Sequence, residues 1–329
     1  MTENDSPLVL ITHPLPEDWI APLREKCRVM IGPEEGRGVS PRLEEHLAEA
    51  QGLITLLDDP VDARLLERAP ALQVVANMAV GYDNIDVEAC TAREIRVGNT
   101  PGVLTEGTAD LTLALMLAVA RRLPQASRDA KEGRWSNWDP TGWLGEDLKH
   151  AVVGIVGMGK IGTAVAERVR AFESEIIFNN RSPKPDLEAR LPAQQVSLEE
   201  LLERSDFVSL HVPLTGATDG MIDEKALQRM KSTAILINAA RGAVVDSAAL
   251  VKALEKGWIR AAGLDVTDPE PLPPDHALYG LENCLITPHI GSATRNTRRT
   301  MADLTVNNVL AGLQGKPLPH QVNPELDQG

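Results

Sequence analysis

The feature that most constrains this chain lies at residues 152–182. An apolar run, VVGIVG, leads into Gly157-Met-Gly159-Lys160-Ile161-Gly162, then an amphipathic segment, then EIIFNNRS. A strand, a Gly-x-Gly-x-x-Gly turn and a helix, with a second strand about 20 residues on, form the first unit of a dinucleotide-binding domain. Each glycine meets a steric need. Gly157 permits the tight turn, Gly159 lets a pyrophosphate approach the backbone, and Gly162 lets the helix settle against the strand. Lys160 and Ile161 open that helix, whose free N–H groups and positive dipole end attract phosphate. The competing reading is a purely structural tight turn.

The motif sits in mid-chain, whereas a Rossmann domain normally begins at its first strand. Short β-rich runs before it, at 8–11, 29–31, 53–57, 74–76 and 96–97, predict a parallel α/β layer of their own. Strands are expected again at 176–179, 207–211, 235–238, 262–265 and 285–286, with an apolar helix over 108–122 and a last helix over 294–312. The fold class predicted is α/β, with two Rossmann-like or flavodoxin-like parallel-sheet domains. A cofactor domain over 103–289 is inserted into a substrate domain formed by 1–102 and 290–329. In such folds ligands bind outside the carboxyl ends of the strands, here in the expected cleft between domains.

Composition removes several classes. The 329 residues carry a net charge of −14, against the basic face that nucleic acid or an anionic membrane requires. The apolar run at 111–120 is too short to span a bilayer, and the acidic N-terminus has no secretory pattern. Cys27, Cys90 and Cys284 are scattered and odd in number, which predicts buried thiols in a reducing, cytoplasmic setting. No His/Cys cluster has metal-ligand spacing, so no metal site is expected.

Three chemistry-bearing residues follow predicted strands: Arg241 in INAARGAVVD, Glu270 in GLDVTDPEPL and His289 in LITPHIGSAT. Together they fit carbonyl reduction. Hydride addition leaves an alkoxide that needs a proton, and a histidine, with an unperturbed pKa of about 6.5, is a natural donor. A carboxylate on the other ring nitrogen orients the imidazole. An arginine grips a substrate carboxylate with two parallel hydrogen bonds and polarises the adjacent carbonyl. Glu270 also reads as an ordinary loop charge. His13, His46, His150, His276 and His320 lack this context and read as structural, and the loop after His211 reads as backbone facing the cofactor. Val212, Pro213, Ala239 and Gly291 are assigned to the same cofactor-facing loops.

Taken in order, VGIVGMGKIG, INAARGAVVD, GLDVTDPEPL and TPHIGSAT resemble the D-isomer-specific 2-hydroxyacid dehydrogenase family over nearly the whole chain. The segments RRLPQA, GRWSNWDP and AAGLDVTDPEPLPPDHALYGLENC look most like its glyoxylate/hydroxypyruvate reductase branch. The resemblance implies reduction of glyoxylate or hydroxypyruvate to glycolate or D-glycerate. It implies Arg241 on the substrate, Glu270 supporting His289, and His289 as proton donor. It further implies backbone N–H groups near Val80 and Gly81 on the substrate carboxylate, where a plain turn is the other reading. Ser292 would assist, Asp265 would lie near the nicotinamide carboxamide and Thr108 near a cofactor phosphate. A homodimer built by the helix from Thr108 and an arm through Trp135, Trp138 and Trp143 is implied, with Trp138 reaching a neighbour's site or merely packing. One departure is visible: Glu173-Ser174 stands where the family has a glycine after the Phe.

Cofactor choice follows from the end of the second strand. NAD-preferring domains carry an acid there for the ribose 2′-OH. This chain has Asn179, Asn180, Arg181 and Ser182. Arg181 offers a planar cation and Ser182 a donor to a 2′-phosphate, which predicts NADPH over NADH; stacking of Arg181 on adenine is the alternative. Other 2-oxo acids, including a phosphoglycerate-type substrate, and a dinucleotide-sensing corepressor-like binding protein are the alternative functions.

Overall fold

The computed structural model describes residues 6–327. They divide into two compact units, one running to Leu104 and resuming at Thr294, the other Thr105–Ala293.

In the first unit, β1 (Leu8–Ile11), β2 (Arg28–Ile31), β3 (Gly52–Thr55), β4 (Val74–Asn77) and β5 (Arg96–Gly98) form one parallel sheet in the order β2-β1-β3-β4-β5. β1, β3 and β4 are buried along their whole length, as strands covered on both faces must be. Alternation sorts their side chains. Val9, Ile11, Ile54 and Val74 meet Ile20 and Leu23 of helix Glu17–Arg24 and Val306 and Val309 of helix Arg295–Gly312. Leu8, Leu10, Leu53 and Val75 face the other way, onto Leu65, Leu66 and Cys90. The strand order reverses between β1 and β3, so this unit's switch point lies at their carboxyl ends.

The second unit holds β6 (Val152–Val156), β7 (Glu175–Asn179), β8 (Ala193–Gln195), β9 (Phe207–Leu210), β10 (Ile235–Asn238), β11 (Ala261–Leu264) and β12 (Cys284–Ile286). They form a parallel sheet in the order β12-β11-β10-β9-β6-β7-β8, which reverses between β6 and β9. Helices Thr105–Ala120 and Lys160–Arg170 supply Leu115, Met116, Val165 and Val169 to one face. Helices Leu198–Arg204, Glu224–Arg229 and Ser247–Glu255 supply Leu201, Leu227 and Leu250 to the other. Ser197, Asp223 and Asp246 cap these last three helices through backbone N–H groups, each worth about 1 kcal/mol.

The sequence expectations shift at their edges. The strand expected over 53–57 stops at Thr55 because the Asp59 carboxylate captures the Leu56 N–H at 2.8 Å. The apolar helix starts at Thr105 and stops at Ala120; Arg122, at φ 51°, has already left helical geometry. β8 and helix Pro185–Arg190 are too short to show a period and were not expected. Glu173 takes φ 60°, the conformation a glycine would adopt, so the turn keeps its course at a cost of about 1 kcal/mol. Ser174 ties the turn down by donating to the Leu148 carbonyl at 2.6 Å.

Candidate active site and cofactor cradle

The glycine turn sits at the second unit's switch point. Gly157 has φ 97°, and a Cβ there would fall 2.6 Å from the His211 carbonyl oxygen and 2.9 Å from a Val212 methyl. The turn after β6 and the loop after β9 therefore press together, and only glycine fits. A Cβ on Gly162 would lie 2.2 Å from the Gly157 oxygen. Beside Gly159 there is open space. No side chain caps helix Lys160–Arg170, whose N-cap is Gly159. Its first-turn N–H groups thus face an open cradle suited to a pyrophosphate. Asn180 closes the rim: its side chain accepts from the Met158 N–H at 3.2 Å and donates to the Ser182 carbonyl at 2.8 Å. Arg181 and Ser182 are exposed, and no acid stands at 179–184.

The strand-end loops bring Arg241, Glu270 and His289 into the same unit. Asn238, at the end of β10, accepts from the Ala240 N–H and donates to the Arg241 carbonyl, which fixes that loop. Gly242 allows it to touch the next one, since a Cβ there would meet the Thr267 oxygen at 1.9 Å. Arg241 Nη1 donates to the Ala240 carbonyl at 2.9 Å. Glu270 Oε1 lies 2.6 Å from His289 Nδ1, and Glu270 Oε2 accepts from the Thr267 N–H at 3.4 Å. The imidazole is only 24% exposed, and its Nε2 has no partner among the described residues. One ring nitrogen is oriented by a carboxylate and the other is open.

His289 itself has φ 52°, a left-handed backbone that costs a non-glycine residue about 1 kcal/mol. Asp265, 2% exposed, holds that geometry. Its Oδ1 accepts from Thr287 Oγ1 (2.6 Å) and the Ile290 N–H (2.8 Å), and its Oδ2 from the Gly291 N–H (2.7 Å). Thr108 packs against Gly291: a Cβ there would stand 3.2 Å from both Thr108 Oγ1 and Asp265 Oδ2. Sequence reasoning missed this cradle, because only the pairing of β11 with β12 brings Asp265 beside Thr287.

Other candidates are placed as follows. Ala239 follows β10, and Pro213 follows β9, where its carbonyl accepts from Thr218. Ser292 is half-buried just after Gly291. Val80 and Gly81 belong to the first unit, in the loop after β4. Trp135 and Trp138 are 76% and 82% exposed, and Arg122 stacks on Trp143 at 4.8 Å. A groove of about 520 Å³ lined by Arg122, Gln125, Arg128, Tyr279 and Leu285 opens on the same unit. Thiol chemistry finds no support: burial pushes Cys90 and Cys284 up to about 12 and Cys27 upward. Among the described residues there is no His/Cys/Asp/Glu cluster able to hold a metal ion, and no helix is long and apolar enough to cross a membrane.

Comparison with known proteins gives the class. The model of the D-isomer specific 2-hydroxyacid dehydrogenase NAD binding domain matches residues 113–291. A glyoxylate reductase of Korarchaeum cryptofilum is 47% identical over 321 residues, covering 97% of each chain. A crystal structure of a Thermus thermophilus protein superposes with a TM-score of 0.89 at 48% identity, covering 96% of this chain and 99% of that one. An NADPH-dependent glyoxylate/hydroxypyruvate reductase from Sinorhizobium meliloti, solved with NADP and malonate, gives 0.84 at 32% identity over 97% of each chain. The chain belongs to the D-isomer specific 2-hydroxyacid dehydrogenase family. It is an NAD(P)-dependent oxidoreductase whose second unit carries the family's nicotinamide dinucleotide-binding domain.

Proposed function

We propose that the protein reduces glyoxylate or hydroxypyruvate to glycolate or D-glycerate with NADPH, the unit Thr105–Ala293 binding the dinucleotide and the other unit serving the substrate. The observation that carries the reading is the 2.6 Å contact of Glu270 with His289 Nδ1, which leaves Nε2 open. The dinucleotide, when bound, supplies a hydride to the carbonyl carbon. His289 Nε2 holds the proton that the carbonyl oxygen then needs, while Glu270 fixes the ring. Arg241 takes the substrate carboxylate and polarises the carbonyl, assisted by the backbone at Val80 and Gly81 and by Ser292. The open cradle at Gly157, Gly159 and Gly162 fits the pyrophosphate, with Lys160, Ile161, Val212, Pro213, Ala239 and Thr108 around it. The glyoxylate reductase names of its relatives favour these substrates.

NADPH preference rests on the rim at Asn180, Arg181 and Ser182. With no acid there, nothing repels a 2′-phosphate, and the exposed Arg181 offers it a bidentate partner. A panel of glyoxylate, hydroxypyruvate, pyruvate and bulkier 2-oxo acids, each with NADPH and NADH, tests both claims. A higher kcat/KM with NADH would refute the cofactor reading. Arg181→Ala should lower the NADPH/NADH ratio of kcat/KM about tenfold, roughly the worth of one charge-assisted hydrogen bond.

The exposed Trp135 and Trp138 favour a homodimer, with Trp138 limiting substrate size. A monomer mass in solution would remove that part. Localisation is proposed to be cytoplasmic, where the three free thiols, two of them buried, stay reduced.

A further inference from the structure

The reaction scheme above uses the backbone of the loop after β4 but not the side chains that hold that backbone. Val80 and Gly81 expose no useful side-chain chemistry, so any role of theirs on a carboxylate falls to backbone N–H groups. Which way those groups point is decided by the carbonyls across each peptide. In a planar trans peptide the C=O of one residue and the N–H of the next point in opposite directions. Asn99 Nδ2 donates to the Val80 carbonyl at 2.8 Å, and Asn77 Nδ2 donates to the Gly81 carbonyl at 2.8 Å. Asn77 is fully buried and Asn99 is 8% exposed. Both carbonyls are therefore drawn inward. The N–H groups of Gly81 and Tyr82 are turned outward, and neither has a partner among the described residues.

The two amides are themselves locked. Asn77 Oδ1 accepts from Thr55 Oγ1 at 2.9 Å, which leaves its nitrogen to donate to Gly81 and to Asn84 Oδ1. Asn84 Nδ2 donates to the Leu56 and Asp59 carbonyls. The buried Asp59 carboxylate gathers Thr12 Oγ1, the Gly38 N–H and the Leu56 N–H at the switch point between β1 and β3. On the other side, Asn308 of helix Arg295–Gly312 donates to the Asn99 carbonyl at 3.0 Å. Linked groups, buried except for the half-buried Asn84, thus end from both sides on two carbonyls of one turn. A turn needing only stability could leave these carbonyls in water, where they cost nothing.

We infer that Asn77 and Asn99 are positioning residues: by holding the Val80 and Gly81 carbonyls inward, they aim the Gly81 and Tyr82 N–H groups at the carboxylate of the 2-oxo acid. This rests on the proposed function. A carboxylate between two N–H donors is bound as an anion, so the device acts on substrate affinity and leaves the chemical step alone.

Asn99→Asp keeps the shape and replaces the inward-holding donor with an acceptor, and Asn77→Asp does the same on the other carbonyl. Each should raise the KM for glyoxylate and the inhibition constant of oxamate, a non-reacting carboxylate analogue, about 10- to 100-fold. kcat at saturation and the Kd for NADPH should stay within about threefold of the parent, within the scatter expected for sites that do not couple. An unchanged KM, or a parallel fall in kcat and cofactor affinity, would overturn the assignment in favour of a merely structural role. If neither variant folds, the unaltered protein decides. With glycine-selective 15N labelling, the Gly81 amide must shift when oxamate is added to the NADPH complex; a silent Gly81 under saturating oxamate overturns the inference. Absence of glyoxylate turnover and of oxamate inhibition in the unaltered protein would remove the functional reading, and the inference with it.

Discussion

Two loops, one in each unit, follow parallel strands and are fastened in opposite ways. After β4, two neutral asparagine amides hold two carbonyls, and the N–H groups are left to face outward. After β12, one buried carboxylate, Asp265, collects the Ile290 and Gly291 N–H groups and the Thr287 hydroxyl, and the His289 side chain is left to face outward. What a cradle binds determines what the loop offers. Carbonyls held inward give a backbone donor site; N–H groups held inward give a turn that projects one ring. The charges differ accordingly. The groups in direct contact with the loop after β4 are neutral amides, whereas those in direct contact with the loop that carries His289 include a carboxylate.

The contrast breaks most visibly at the projected ring. His289→Ala leaves the Asp265 cradle intact and removes only what it presents. kcat should fall about 10²- to 10⁴-fold, the usual worth of a positioned general acid, while NADPH still binds. Near-normal turnover would overturn the assignment of the proton donor. Asp265→Asn tests the cradle behind the ring. Its amide nitrogen would face a backbone N–H or the Thr287 hydroxyl where a carboxylate oxygen now accepts. Loss of a charge-assisted hydrogen bond, about 1.5–3 kcal/mol, should lower kcat about 10- to 100-fold and reduce Tm. A variant with full activity would mean that the loop keeps its shape without the carboxylate.

A second histidine sharpens the point about partners. His211 follows β9, with Nε2 2.8 Å from Ser209 Oγ and a buried Nδ1 that has no partner among the described residues. Burial without a carboxylate lowers its pKa to about 4. In the unfolded chain the same ring titrates near 6.5. Between those values the unfolded state binds the proton and the folded state does not. His211 therefore costs nothing above pH 6.5, and stability is lost as pH falls from 6.5 towards 4, by roughly 2–3 kcal/mol. Denaturant unfolding at pH 7 and pH 4.5 should show a smaller loss in His211→Asn than in the parent. Equal losses would show that the ring gains a partner on acidification.

Much of this was legible in sequence, and the exceptions have physical reasons. The glycine turn could be read because three glycines at fixed spacing answer local steric needs, two of which the fold displays at Gly157 and Gly162. Arg241, Glu270 and His289 could be named because strand ends follow from β-rich runs and the chemistry follows from residue type. The cradles could not. Asp265 meets Gly291 across 26 residues and Asn99 meets Val80 across 19, and such pairings exist only once strand order is set. Asn77 and Asn99 had no signal beyond being polar residues close to the ends of apolar strands.

The smallest effect is also the most discriminating. At His289 the loop offers a side chain, so removing that side chain should be severe. At Val80 the loop offers backbone, so removing the side chain should matter little. Val80 is half-buried and lies outside the apolar clusters of its unit, so the lost methyl groups cost less than about 1 kcal/mol of packing. Val80→Ala keeps both carbonyls on Asn77 and Asn99, and the Gly81 and Tyr82 N–H groups stay aimed. KM for glyoxylate should therefore change less than about threefold, or about 0.7 kcal/mol, in a variant one residue from the proposed anion site. Asn99→Asp, whose side chain reaches the same carbonyl from 19 residues away in sequence, should exceed it by about an order of magnitude. If Val80→Ala proves the more damaging of the two, the loop acts through its side chain, and the distinction between a backbone-presenting and a side-chain-presenting cradle fails.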